Sequence, residues 1–210
     1  MAHDGQDQFL TQNALVKDLL FQTGRSAELV SDVLDRAVES VRSKVSQDGR
    51  VSAALIEENQ TAAHGLAWLA TYVESLKQMQ KWAELLQSEG RLGETEQLLL
   101  QISFGEYLSQ ILGGIPMSQA EIMRLADLGL TAEDTAGLAD DAVMRLLSDG
   151  NAQAARLRLV ELMQENSADV IVGASGLDEE LEMVREQFRR YSLDRIDPVA
   201  HCWHLNDDLI

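Results

Sequence analysis

The residues best suited to chemistry lie near the end of the sequence, where His201, Cys202 and His204 are close neighbours. Two histidines three positions apart can share a helix face, and imidazole and thiolate are ligands that zinc accepts. A fourth ligand would have to come from Asp207, Asp208 or elsewhere. Because this pattern has low specificity, we interpret these residues as ordinary, partly exposed polar side chains and assign no metal ligand.

His64 is the second candidate, since Glu57 and Glu58 lie one to two helical turns before it. An imidazole near a carboxylate could act as a general base, but no nucleophile accompanies this pair. The sequence therefore favours a hydrogen-bonded structural histidine.

Motifs that define several enzyme classes do not occur in the sequence. They are the Glu-x-x-His pairs of di-iron bundles, His-Glu-x-x-His, the Gly-x-x-x-x-Gly-Lys phosphate loop and the Gly-x-Ser-x-Gly nucleophile elbow. Gly173-Ala174-Ser175-Gly176 is too short for a dinucleotide-binding fingerprint and is better interpreted as a linker. We therefore assign no catalytic, cofactor-binding or metal-ligating residue to this chain.

The charge of the chain disfavours two classes of partner. Its 17 Lys and Arg residues against 35 Asp and Glu give a formal charge of −18, a field that repels nucleic acid and anionic lipid. A single cysteine, Cys202, excludes an intrachain disulfide and fits a reducing compartment. Polar residues between Phe9 and Phe21 interrupt any signal-peptide core or membrane span. These features predict a cytoplasmic protein.

The elements that must position these residues are helices, because the chain has two prolines and is rich in Ala, Leu, Glu and Gln. We predict a helix over 7–22 that Gly24 ends, and a second that Ser26 caps and Asp48 ends. Further helices are predicted over 51–88 and 94–112. The helix over 51–88 would be about 55 Å long and would form the spine of an elongated bundle.

The predicted spine helix carries an apolar stripe that partner helices must cover. A polar break at Gln80 interrupts the stripe, and the aromatic residues of this helix are expected to fill gaps between helices. The stripe consists of Leu66, Leu69, Val73 and Leu76, then Met79, Ala83 and Leu86, and the aromatic residues are Trp68, Tyr72 and Trp82.

Shorter elements follow. The sequence from Ser118 to Glu121 has the form of a capping box that opens a short helix. Thr131 with Asp134 could start the next helix, and Asp149-Gly150 separates that helix from another. A glycine-containing stretch over 166–176 predicts a boundary between a helical extension at 1–170 and a second domain beginning at 177. The second domain opens with an amphipathic helix that carries Leu181, Val184, Phe188 and Tyr191.

Three small residues recur every fourth position in the helix over 94–112 and at its end: Gly105, Ser109 and Gly113. They share one helix face and would let another backbone come close. Because a glycine inside a helix costs about 1 kcal/mol relative to alanine, Gly105 suggests a tight contact. The alternative is that these small residues are simply tolerated at the surface.

Two groups of segments resemble a known family. The sequences AHGLAWLATYVE at 63–74, FGEYL at 104–108 and GIPMSQ at 114–119 resemble the N-terminal helical extension of the methylsuccinyl-CoA dehydrogenase type of acyl-CoA dehydrogenase. The sequences VREQFRR at 184–190 and DPVAHCWH at 197–204, continuing to Leu209-Ile210, are similar to the opening helices of the acyl-CoA dehydrogenase fold itself.

The resemblance implies a full-length enzyme that removes a proton from Cα and a hydride from Cβ of an acyl-CoA thioester, using a glutamate base and FAD. It implies that the flavin and thioester contacts lie in later domains, so no site residue is transferred and this chain alone is expected to bind no cofactor. The expected partners are the missing flavoprotein domains or a neighbouring subunit in a homo-oligomer. Two alternatives remain open: a stand-alone helical interaction protein, and a metal-binding bundle centred on His201, Cys202 and His204.

Overall fold

The computed structural model describes residues 14–165 and 177–208. Helices dominate these residues and the strands form only short antiparallel pairs, which confirms the predicted all-α class. Backbone contacts divide the chain into two units, Met1–Gly173 and Ala174–Ile210, and each unit is described by itself.

The helices of the first unit are α1 (Leu19–Val45), α2 (Ala53–Glu58), α3 (Gln60–Ser88), α4 (Glu94–Gly113), α5 (Asp141–Arg145) and α6 (Gln153–Glu165). Two antiparallel hairpins pair β1 (Ser46–Gln47) with β2 (Arg50–Val51), and β3 (Ile115–Pro116) with β4 (Ile122–Met123). Single 3-10 turns occur at Leu125–Leu128 and Ala136–Ala139, and a wide π-helical turn at Leu146–Gly150 joins α5 to the residues before α6.

The predicted division of the first part of the chain into two helices is wrong. Helix α1 begins at Leu19 and continues through Gly24 without a break. A Cβ at Gly24 would lie 3.2 Å from Nε2 of Gln80, so this glycine permits a close approach to α3 and does not end a helix. Ser26 is buried inside α1 and is not an N-cap. The predicted helical residues 7–13 lie outside the described residues.

The predicted single helix over 51–88 is also interrupted. Ser52 caps the short α2 by accepting a hydrogen bond from the Leu55 amide, and α2 ends at Glu58. Asn59 separates α2 from α3 because its backbone angles, φ −119° and ψ 31°, are not helical. Its side chain donates to the Leu55 carbonyl at 2.9 Å, beside the bond from its own amide. The spine is therefore α3 alone, with 29 residues and a length of about 43 Å.

The core lies along α3, which packs between α1 and α4. The predicted stripe is buried at Leu69, Val73, Leu76, Ala83 and Leu86. The residues that cover it are Val30, Val33, Ala37 and Val41 from α1 and Phe104, Leu108 and Ile111 from α4. The three aromatic residues of α3 are partly buried against the same cluster, as expected for side chains that fill gaps between helices.

The residues from Ser118 to Glu121 form the turn of the β3–β4 hairpin, so the predicted short helix at this position is wrong. The Ser118 hydroxyl accepts hydrogen bonds from the amides of Ala120 and Glu121, which stabilises a turn. The side chains of Thr131 and Asp134 each accept a hydrogen bond from the other residue's backbone amide. The residues that follow form a 3-10 turn, so the predicted start of an α-helix at Thr131 is wrong. Asp140 then caps α5 by accepting a bond from the Ala142 amide.

The second unit contains α7 (Glu179–Tyr191), a π-helical turn (Ser192–Ile196) and α8 (Asp197–Asn206). Asp178 caps α7 by accepting a hydrogen bond from the Leu181 amide at 2.9 Å. The predicted amphipathic helix is present, but none of the side chains in these three elements is buried.

Candidate functional site

The three small residues of α4 have different surroundings. Gly105 is buried, and a Cβ there would lie 2.8 Å from the Asn151 nitrogen and 2.9 Å from the Leu146 carbonyl oxygen. Ser109 is exposed and donates its hydroxyl to the Gly105 carbonyl. Gly113 is exposed, with open space where a Cβ would stand. The close approach is therefore at Gly105, within the first unit, and whether Ser109 and Gly113 contact another subunit stays a prediction.

The π turn at Leu146–Gly150 fits against α4 because both backbones lack a side chain at the contact. A Cβ at Gly150 would lie 2.7 Å from the Gln101 carbonyl oxygen and 3.5 Å from Cα of Gly105. Gln101, which is fully buried, reinforces this contact by donating its amide to the carbonyls of Gly150 and Ala14 and accepting from the Val16 amide. One glutamine thus connects three parts of the first unit.

A polar cluster holds the start of α6 against α4. The carboxylate of Glu106 accepts hydrogen bonds from the side-chain amides of Gln110 and Asn151, and Asn151 in turn accepts from Nε of Arg156. Further along, Arg158 donates from Nε and Nη2 to the two carboxylate oxygens of Glu94. These bonds hold charged groups in place near the surface, a structural role that needs no ligand.

His64 is a hydrogen-bonded residue on α3. Its Nε2 accepts a hydrogen bond of 3.0 Å from the indole of Trp68, and the two rings meet edge-on. Since that lone pair is already used, Nε2 is not free to act as a base in this arrangement. The imidazole lines a surface depression together with Glu121 of the β3–β4 hairpin and Met117. Its predicted neighbours Glu57 and Glu58 belong to the separate α2.

His201, Cys202 and His204 lie on α8 with exposed side chains. The Cys202 sulfur is 3.4 Å from the side-chain nitrogen of Asn206, which can donate to it. Within 14–165 and 177–208, no three His, Cys, Asp or Glu side chains are placed to hold a metal ion.

FAD is a dinucleotide, and its pyrophosphate would need cationic side chains. Among the described cavities, a groove of about 410 Å³ between α1 and α3 offers such side chains. It contains Lys77 and Lys81, but Glu28, Asp32 and Glu84 line it as well. Three carboxylates against two ammonium groups leave a negative field that disfavours the pyrophosphate of FAD. This groove does not fit the flavin cofactor, and no chemical step is assigned to it.

The strongest functional feature of the second unit is an exposed apolar row on α7. Leu181, Val184, Phe188 and Tyr191 expose from 46% to 72% of their surface while following a 3–4–3 helical spacing. On the other side of the helix, Glu182 pairs with Arg185, and Glu186 pairs with Arg189 and Arg190. A contiguous apolar row of this kind is typical of an interface.

Sequence reasoning missed the buried polar residues of the first unit. Gln80, interpreted as a break in the apolar stripe, is buried, accepts a hydrogen bond of 2.6 Å from Thr23 and donates to the Leu20 carbonyl. The available signal was its position, because a polar residue between two halves of a core stripe faces the partner helix.

None of the described helices has both the length and the apolarity to cross a lipid bilayer.

No protein-family model matches the chain. Among curated proteins, the (2S)-methylsuccinyl-CoA dehydrogenase of Cereibacter sphaeroides is 51% identical to it over 201 residues. The match covers 96% of this chain but only 36% of that protein, of which it is the N-terminal part. The predicted resemblance is therefore confirmed.

Proposed function

We propose that this chain is the N-terminal helical portion of an FAD-dependent acyl-CoA dehydrogenase that oxidises methylsuccinyl-CoA to mesaconyl-CoA by α,β-dehydrogenation. The observation that carries the proposal is the 51% identity across nearly the whole chain. FAD would accept the hydride in the complete enzyme. The chain itself supplies a folded helical domain and the helix that leads into the flavin-bearing part.

The role of the segment in this proposal is packing. The first unit buries its own core, whereas α7 presents an apolar row that needs a partner surface. The partners would be the remaining flavoprotein domains or a neighbouring subunit of a homo-oligomer. We also propose the cytoplasm as the compartment, because the single cysteine fits a reducing environment.

The experiment is to purify the complete product of the source gene and, separately, the 210-residue chain. We expect the complete product to show flavin absorbance and to oxidise methylsuccinyl-CoA in the presence of an electron acceptor, and we expect the short chain to do neither. A complete product without flavin, or thioester oxidation by the short chain alone, would refute the proposal. A reading frame that stops after Ile210, with a stable symmetric oligomer, would instead favour an independent interaction protein.

A further inference from the structure

His64 lies at one end of a row of aromatic side chains that connects α3 to α4. We propose that His64 is a proton-operated switch: the neutral imidazole holds Trp68 in this row, and the protonated imidazole releases Trp68 and pairs with Glu121 of the β3–β4 hairpin. The switch lies within the first unit and does not depend on the proposed function of the complete protein.

The hydrogen bond between Trp68 and His64 exists only while the imidazole is neutral. The indole of Trp68 is a donor only, and it donates to Nε2 of His64 at 3.0 Å. A protonated imidazole carries a hydrogen on both ring nitrogens, so it offers no acceptor in any orientation of the ring. The His64 side chain is exposed, and a proton that binds Nε2 from the solvent must therefore break this bond. Imidazoles ordinarily titrate between about pH 5 and about pH 8.

Two further rings connect this bond to the contact between α3 and α4. Trp68 meets Tyr72 edge-on with ring centroids 6.4 Å apart, and Tyr72 stacks on Tyr107 of α4 at 4.7 Å. The Tyr72 hydroxyl also donates to the side chain of Gln110 on α4. Trp68 is only partly buried, so its indole N–H can turn to water once Nε2 no longer accepts it. His64 thus controls the outer end of a row whose inner end belongs to the packing of α3 on α4.

The carboxylate of Glu121 is available to the protonated imidazole. His64 and Glu121 line the same surface depression, of about 350 Å³, and the described residues around it include no lysine or arginine. Glutamate carboxylates are ordinarily ionised above about pH 5, so an imidazolium there meets a negative charge. The hairpin that carries Glu121 fits against α3 because Gly65 has no side chain: a Cβ there would lie 2.5 Å from Cγ of Met123.

The other charged groups of the elements around the imidazole do not line the depression. Glu57 and Glu58 belong to α2, and neither side chain is among the lining residues. Near the hairpin, Asp127 accepts a hydrogen bond of 2.7 Å from the Arg124 amide and so closes its own turn. On α4, Glu106 belongs to the polar cluster at the start of α6. The hairpin carboxylate is therefore the charge that responds to the switch.

The release of Trp68 is tested by NMR on the indole N–H signals of the 210-residue chain. The measured quantity is the ratio of the hydrogen-exchange rates of the Trp68 and Trp82 indoles, because a ratio cancels the intrinsic pH dependence of exchange. Between about pH 8 and about pH 5 we expect this ratio to rise about 2- to 10-fold, the effect of losing one hydrogen bond. Trp68→Phe and Trp82→Phe assign the two signals.

The matched variants separate His64 from the other histidines. His64→Gln keeps an acceptor near the position of Nε2 but does not titrate in this range, so the ratio should become independent of pH. His201→Gln and His204→Gln, on α8, should leave the rise unchanged. A constant ratio in the original chain, or a rise that persists in His64→Gln, would overturn the switch.

The pairing with Glu121 is tested on the Met117 amide, which donates to the Glu121 carbonyl at 2.9 Å. At about pH 5 this amide should exchange about 2- to 5-fold more slowly in the original chain than in Glu121→Gln, as expected for an exposed ion pair. At about pH 8 the two proteins should exchange alike. Glu57→Gln is the control and should behave as the original chain at both values. Equal exchange of the original chain and Glu121→Gln at the lower pH would refute the pairing.

Discussion

The two units of this chain place their large apolar side chains in opposite environments. Phe104 on α4 is fully buried in the first unit, whereas Phe188 on α7 exposes 72% of its surface in the second. The two π turns differ in the same way, because Leu146–Gly150 packs on α4 through Gly105 while Ser192–Ile196 has no buried residue. The first unit therefore carries its own stabilising contacts, and the second presents contacts for another surface.

The sharpest test of this difference is the same substitution in both units. Phe104→Ala should lower the free energy of unfolding of the 210-residue chain by about 3–5 kcal/mol, because it leaves a cavity in a packed core. Phe188→Ala should change it by less than about 0.5 kcal/mol, since an exposed side chain loses few contacts. Urea unfolding followed by circular dichroism measures both values. Equal effects would mean that the second unit is packed in the isolated chain.

The buried glutamine of α4 should give the next largest effect. Gln101→Leu keeps the volume but removes the partners of the Val16 amide and of the Ala14 and Gly150 carbonyls. Leaving such groups unpaired should cost about 2–3 kcal/mol in the same unfolding experiment. Gln78→Leu is the control, because this glutamine is exposed on α3. A neutral Gln101→Leu would show that water replaces the lost hydrogen bonds.

Two glycines of α4 should respond to the same substitution with smaller and opposite changes in stability. Gly105→Ala should destabilise the chain by about 1–3 kcal/mol, because the new methyl group meets backbone atoms that must move. Gly113→Ala should stabilise it by about 0.4–1 kcal/mol, because that position has open space and alanine restricts the unfolded chain. The melting temperatures of the two variants show whether each substitution destabilises or stabilises the chain. Destabilisation by Gly113→Ala would indicate that this residue lies in an interface between copies.

Much of this architecture could be predicted because periodic apolar residues define a helix face locally. The stripe of α3, the bounds of α4 and the amphipathic α7 all followed from spacing. The continuity of α1 could not be predicted in this way. Gly24 has the form of a helix stop, and only the approach of Gln80, 56 positions later, explains a glycine in the middle of a helix.

The helix predicted from the capping pattern at Ser118 was wrong for a related reason. A serine hydroxyl that accepts amide hydrogen bonds stabilises a hairpin turn as well as a helix start, and the strands that flank it decide between the two. For the candidate site, the apolar row was visible in the sequence, but its exposure depends on the absence of packing around α7.

The smallest expected effect concerns the ion pair that joins α6 to the first residue of α4. Hydrogen bonds from Arg158 hold the pKa of Glu94 below its usual value. A carboxyl group whose pKa is lower in the folded than in the unfolded chain stabilises the fold above about pH 4, and this contribution is lost as the pH falls through the folded pKa. Glu94→Gln removes that titration, so its melting temperature should fall less than that of the original chain between about pH 6 and about pH 3. Glu57→Gln, on the exposed α2, is the control, and identical pH profiles for all three proteins would mean that the pair with Arg158 contributes nothing to the attachment of α6.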